Sequence, residues 1–253
     1  MKNKFKLNSS TLLVFILTTG VFGIINTEMG VIGILPLIAE NFQVTVPEAG
    51  WTVSIFALVV AISAPITPLL FSGINRKKVM ILAVGLFTLS NVISMMTTNF
   101  TVLLISRALP AFLHPVYVSM AFTVAAASVS KEKAPKAVAK VFIGVSAGMV
   151  LGVPVTSYIA SEVSYSMGML FFTVVNALVL VATILFVPSM PVKEKLSYGT
   201  QLSVLKKKVV WYSILTITLI NGALFGFFSY MSDYLKTITG VSYTVISTML
   251  LIY

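Results

Sequence analysis

Three ionisable side chains stand inside long apolar runs of this chain: Glu28, Arg107 and His114. Glu28 falls within "GIINTEMGVIGILP", residues 23–36, and the other two fall within "SRALPAFLHPVYVSMAF", residues 106–122. A charged side chain at the centre of a bilayer costs about 3 kcal/mol on insertion scales, so such residues mark either a function or a fixed polar contact. Glu28 is expected to carry a proton, since a carboxylate beside a cation can load and release one as its surroundings switch. Arg107 divides evenly between a substrate cavity and a structural role. His114 reads first as a neutral imidazole buried between Pro110 and Pro115, and second as a partner for Glu28. Asn26 either joins the same cavity or bonds across helices, as do Asn91, Asn176 and Asn221, with helix-to-helix bonding the commoner use. Trp51, Tyr117 and Phe225 could face substrate or simply pack.

Other chemistries find no support in the residue types. With no cysteine and a single histidine, neither a disulfide framework nor a metal site is expected. An intramembrane enzyme needs a nucleophile with its base, or a carboxylate pair, at matched depth, and Glu28 stands alone as a central acid. No cofactor is implied.

Elements long enough to position these residues must be membrane spans. The chain is 58% hydrophobic and 9% charged, against about a quarter charged in a soluble domain. At about 20 apolar residues per crossing, spans are expected at Thr11–Leu37, Gly50–Leu70, Val79–Thr97, Phe100–Ala127, Ala137–Ala160, Tyr165–Val187 and Val209–Tyr230. An eighth begins near Ser242 and reaches Tyr253, too short to cross. The basic-then-apolar start resembles a signal peptide, but no small-x-small site closes it, so it reads as a retained first helix. Counting about 1.5 Å per residue, Glu28 lies roughly 14 Å from the outer end of span one. On the same scale, Arg107 and His114 lie roughly 10 and 21 Å along span four, seven residues apart on one helix face. Pro65 and Pro68 predict a bend or local opening in span two.

Of the 17 basic residues, 15 gather on one side: Lys2, Lys4 and Lys6; Arg76, Lys77 and Lys78; Lys131, Lys133, Lys136 and Lys140; and the Lys193–Lys208 cluster. Lys236 is alone on the other side, with Glu40, Glu48, Glu162 and Asp233. The N-terminus is therefore expected in the cytoplasm of a multi-pass protein of the cytoplasmic membrane. The net charge of +10 is explained by attraction to an anionic leaflet and implies no nucleic-acid partner. The long basic loop from Pro188 to Lys208 divides the chain into a six-helix bundle (1–187), a cytoplasmic linker (188–208) and the start of a second bundle (209–253). That is the layout of a two-half transporter. In span five, Gly144, Gly148 and Gly152 recur every four residues, with Pro154 two beyond, a stripe that lets two helix backbones approach closely.

These stretches resemble the major facilitator superfamily, and within it the twelve-span drug:H+ antiporters, nearest to bacterial sugar- and arabinose-efflux permeases. The resemblance is carried by "NTEMGVIGILPLIAENF" in span one, the Arg107-to-His114 spacing in span four, "GVSAGMVLGVP" in span five and "SYMSDYLKTITGVSYTVISTMLLIY" from span seven onward. It implies an all-α membrane fold: the N-terminal six-helix bundle, span seven and part of span eight. It implies export of a small molecule, sugar or drug-like, in exchange for protons. Glu28 would carry the proton, Arg107 would tune it, and Gly144, Gly148, Gly152 and Pro154 would gate the outward path. An uptake symporter and a non-transporting fragment or helical scaffold are the alternatives. Two departures stand out. His114 is followed by Pro115 where glycine is usual. The loop "LFSGINRKKV" keeps Arg76, Lys77 and Lys78 but has Gly73 where the superfamily places an aspartate, which puts a gating salt bridge there in doubt. Twelve spans are usual and seven with a stub are present, so the chain is expected to be a piece of a longer transporter that does not transport alone.

Overall fold

A computed structural model describes residues 9–192, 206–242, 245–246 and 248–249. The middle of the linker and most of the expected eighth span lie outside the described residues. Seven helical stretches are long and apolar enough to cross a membrane, one for each expected span.

Span one comprises α1 (Ser9–Met29), a 3-10 turn (Ile32–Ile34) and α2 (Leu35–Phe42). Span two comprises α3 (Val46–Ala49), α4 (Trp51–Ser63) and α5 (Thr67–Leu70); span three is α6 (Arg76–Met96). Span four is α7 (Phe100–Ala111) followed by α8 (His114–Ala127). Span five is α9 (Ala134–Glu162), span six α10 (Tyr165–Phe186) and span seven α11 (Lys208–Thr239).

Proline positions explain where these helices divide. A proline ring has no N–H to give and collides with the carbonyl four residues earlier. Pro68 thereby opens span two at Ala64, and α4 does end at Ser63, as the sequence leads one to expect. Pro36 acts on Ile32, where span one passes through its 3-10 turn, and Pro115 acts on Ala111, the last residue of α7. The unbroken first and fourth helices expected from hydropathy are therefore corrected to broken ones, and span one runs on to Phe42. Helix starts carry their own signals. Asn75, Asn99 and Ser164 accept hydrogen bonds from the backbone N–H groups of Lys77 (3.0 Å), Val102 (3.2 Å) and Met167 (3.2 Å). Thr45 and Glu48 form a reciprocal capping box ahead of α3.

Span one is the most enclosed, with 83% of its most apolar window buried. It packs chiefly on α9, while α10 packs chiefly on α6. The glycine stripe is what brings α9 so close. A Cβ on Gly144 would land on the Thr18 carbonyl oxygen; one on Gly148 would lie 2.8 Å from Ile25 Cβ, and one on Gly152 3.2 Å from Asn26 Oδ1. Pro154 is buried within the same helix. At the end of the bundle away from the lysines, Phe42 packs between Phe100 and Tyr165, with ring centroids 6.0 and 5.4 Å apart. Tyr165 Oη donates to the Ser94 carbonyl at 3.1 Å and ties spans three and six together there. α11 meets the bundle differently. Residues 211–224 are exposed, and the helix closes on span one only farther along, where Ser229 and Ser232 are buried.

Candidate functional site

The break after Met29 leaves the last carbonyls of α1 without helical partners, at the negative end of the helix dipole. Arg107 fills that vacancy. Its Nη1 donates to the Thr27 carbonyl at 2.8 Å, its Nη2 to the Glu28 carbonyl at 3.3 Å, and its Nε to the Thr52 carbonyl of α4 at 3.3 Å. The guanidinium carbon lies 4.9 Å from the centroid of the Phe56 ring, a cation–π contact from the same helix. Arg107 is thus held by the backbone of spans one and two and not by the carboxylate of Glu28.

That carboxylate turns to His114 instead, with Oε2 3.2 Å from Nε2. The two groups are at ion-pair distance, but the ring N–H is not aligned along the contact as a hydrogen bond, and Nδ1 has no hydrogen-bond partner among the described residues. The Phe56 ring also stands edge-on to the imidazole at 5.8 Å, so one aromatic side chain touches both the cation and the histidine. His114 meets Glu28 because the break at Phe112–Leu113 starts α8 at His114 itself. Of the two readings of His114, this contact matches the one that pairs it with Glu28.

Thr27 joins the remaining spans. Its Oγ1 donates to the Gly23 carbonyl (2.9 Å) and accepts from Asn176 Nδ2 (2.9 Å) and Asn91 Nδ2 (3.3 Å). Asn176 Nδ2 also reaches the carbonyls of Phe172 (2.9 Å) and Gly23 (3.3 Å). Spans three, four and six therefore all bond to residue 27 or its carbonyl, and both asparagines bond across helices. Asn26 is fully buried, neither of its side-chain polar atoms has a hydrogen-bond partner among the described residues, and it is turned toward Gly152 and away from the cavity described next.

Glu28 and Arg107 open onto a cavity of about 580 Å³ between spans one, two and seven. Phe56, Val60, Asn221 and Phe225 contribute to its walls, which are mostly apolar. Of the aromatics singled out in the sequence, Phe225 lines this cavity, Tyr117 is buried in the core and Trp51 is exposed. Sequence reasoning did not find Phe56 or Thr52. Both look like ordinary members of an apolar span, and their one signal is a four-residue spacing that puts them on the same face of α4.

At the lysine-rich end, Arg76, Lys77 and Lys78, expected in a loop, form the first turn of α6, and this turn is tied to the end of span six. Lys77 Nζ donates to the Ile184 carbonyl in the last turn of α10 at 2.8 Å. Asn75 Nδ2 donates to Ser189 Oγ at 2.7 Å, and the Arg76 N–H donates to the Met190 carbonyl at 3.1 Å. With glycine at position 73, a helix-end carbonyl holds the lysine in place of a carboxylate.

A bundle of broken apolar helices around a partly buried acid, with a cavity shared by its seventh helix, has the layout of one unit of a two-half transporter. The model of the Major Facilitator Superfamily matches residues 12–253, and the chain belongs to that superfamily. It is 30% identical over 236 residues to the inner membrane transport protein YdhP of Escherichia coli (strain K12), covering 93% of this chain and 61% of that protein. It is 30% identical over 243 residues to the uncharacterized MFS-type transporter YtbD of Bacillus subtilis (strain 168), covering 94% of this chain and 60% of that one. The fold also matches a solved bacterial homolog of the human lysosomal transporter Spinster, crystallised inward-facing and unoccupied. The TM-score is 0.74 at 18% identity, over 98% of this chain and 59% of that chain. The chain thus spans about three-fifths of the length of the relatives it matches. It is a multi-pass membrane protein of a transporter family.

Proposed function

We infer that this chain is the N-terminal bundle, linker and first part of the second bundle of a proton-coupled exporter of small molecules, a twelve-span drug:H+ antiporter in kind. The observation that carries the reading is the Glu28–His114 contact at 3.2 Å beside the 580 Å³ cavity. In this reading Glu28 is the group that carries the proton, and His114 is the polar side chain that faces its carboxylate. Loss of the proton from Glu28 leaves its carboxylate anionic, and Arg107, the cation that shares its cavity, is already committed to three carbonyls. Proton loss therefore changes the charge at the cavity wall.

The stand-off of α11 over residues 211–224 supports an arrangement open toward the lysine-rich end, taken as cytoplasmic. In that state the cavity receives substrate as the proton leaves Glu28. Re-closure at that end, with parting of the contacts near Ser229 and Ser232, lets Glu28 take a proton from outside as substrate departs. The Gly144–Gly152 stripe, with Pro154, is the sliding contact between spans five and one in this exchange. Apolar walls carrying one acid and Asn221 suit an amphipathic molecule, sugar-derived or drug-like, and the partners are that solute, protons and the bilayer.

The test uses the gene for this chain, expressed as it occurs in its genome, in everted membrane vesicles. An imposed pH gradient should drive solute accumulation that collapses with Glu28→Gln and becomes pH-insensitive with His114→Gln. Accumulation that keeps its pH dependence in both variants would refute proton coupling at this pair.

A further inference from the structure

We propose that the lysine-rich end of the bundle holds an acidic phospholipid headgroup in a cavity beside Arg76. The cavity is about 860 Å³, larger than the one at Glu28, and lies between the ends of spans one, three, four and six. Its walls are chiefly apolar, with Leu13, Val124 and Phe186 among them, and Arg76 and Ser10 supply polar groups. Among the described residues no carboxylate lines it.

Arg76 is placed there by its surroundings. Its backbone N–H is fastened to the Met190 carbonyl, and the next residue, Lys77, is drawn off to the end of α10. The aspartate that the superfamily loop would offer is Gly73, and among the described residues the Arg76 guanidinium has no ion pair. A half-buried arginine lining a cavity without an acid among the described residues has no bidentate partner there, and a phosphate diester supplies one. Helix α6 also begins at this cavity, at Arg76, and its dipole favours an anion there. The ends of α8 and α10 oppose that field, and the Lys77 ammonium offsets the second of them.

A lipid is favoured over a soluble anion by the walls. Phe186 is 56% exposed on the outside of the bundle and also lines the cavity, so an apolar surface leads from the hydrocarbon to Arg76. The site sits at the end of the bundle that carries Arg76, Lys77 and Lys78 at the start of α6 and Lys131 and Lys133 ahead of α9, where an anionic leaflet is attracted.

The experiment is native mass spectrometry on the full chain purified in detergent, titrated with phosphatidylglycerol and with phosphatidylcholine of the same acyl chains. Phosphatidylglycerol should be retained about tenfold more strongly, because phosphatidylcholine brings the same phosphate diester with a trimethylammonium that cancels its charge and repels Arg76. Arg76→Gln should remove that preference. Ala127→Trp, which fills the cavity while keeping Arg76, should remove it too and serves if Arg76→Gln does not fold. Lys78→Gln, the same charge change at an exposed position, should leave it intact. An equal loss in Lys78→Gln would mean diffuse attraction, and full retention in Ala127→Trp would place the lipid elsewhere. Displacement by equimolar glycerol 3-phosphate would mean a site for soluble anions. Any of these three results overturns the proposal.

Discussion

If Arg107 serves the α1 break and not the Glu28 carboxylate, removing it should destabilise the bundle whether or not Glu28 is charged. Arg107→Gln takes away three hydrogen bonds, to Thr27, Glu28 and Thr52 carbonyls, and the contact with Phe56. The residue is 4% exposed, so water cannot replace them freely. A buried polar group left unpaired costs about 1–3 kcal/mol. A shorter amide can still satisfy one carbonyl, which leaves two and a loss of roughly 3–5 kcal/mol. For a chain of this size that lowers the melting temperature by roughly 6–20 °C. The assay is a double-mutant cycle with Glu28→Gln, read by thermal unfolding in detergent. Because the guanidinium grips the backbone of residue 28, the coupling energy should stay under about 1 kcal/mol. A coupling above about 2 kcal/mol, with Glu28→Gln rescuing Arg107→Gln, would show that the two charges support each other directly and would refute this account.

Three further outcomes follow from the packing. Gly148→Leu should cost about 1–3 kcal/mol by forcing α1 and α9 apart, whereas Gly85→Ala, whose nearest neighbour is Leu180 Cδ1 at 3.9 Å, should stabilise slightly; equal melting temperatures would discount the close approach. Asn176→Leu should cost about 1–2 kcal/mol by stripping Thr27, Gly23 and Phe172 of a shared donor, checked in the same unfolding assay against Asn221→Leu, whose amide reaches only its own helix at Ile217. Lys77→Met should lower stability by less than about 1 kcal/mol, as expected for a cation at a helix C-terminus, and a larger loss would point to a charge partner beyond the Ile184 carbonyl.

The sequence by itself determined the seven crossings, because a run of about 20 apolar residues has few other fates and each charge cluster marks a water-facing connection. It also determined the opening in span two at Pro65–Pro68 and the close approach promised by Gly144, Gly148 and Gly152, since a missing donor and a missing Cβ act locally. The breaks in spans one and four were signalled by Gly30, Gly33 and Pro36 and by Pro110 and Pro115, but hydropathy averages over such positions. The cost of burying Glu28, Arg107 and His114 was legible; their partners were not. Residues 28 and 114 meet only because α8 starts afresh at His114. Arg107 turned to carbonyls because the α1 break exposed them, and the glycine stripe found α1 only when the bundle assembled. Partners nearly eighty residues and more apart along the chain are chosen by packing, where every polar group in hydrocarbon must find whatever partner the neighbouring helices bring within reach.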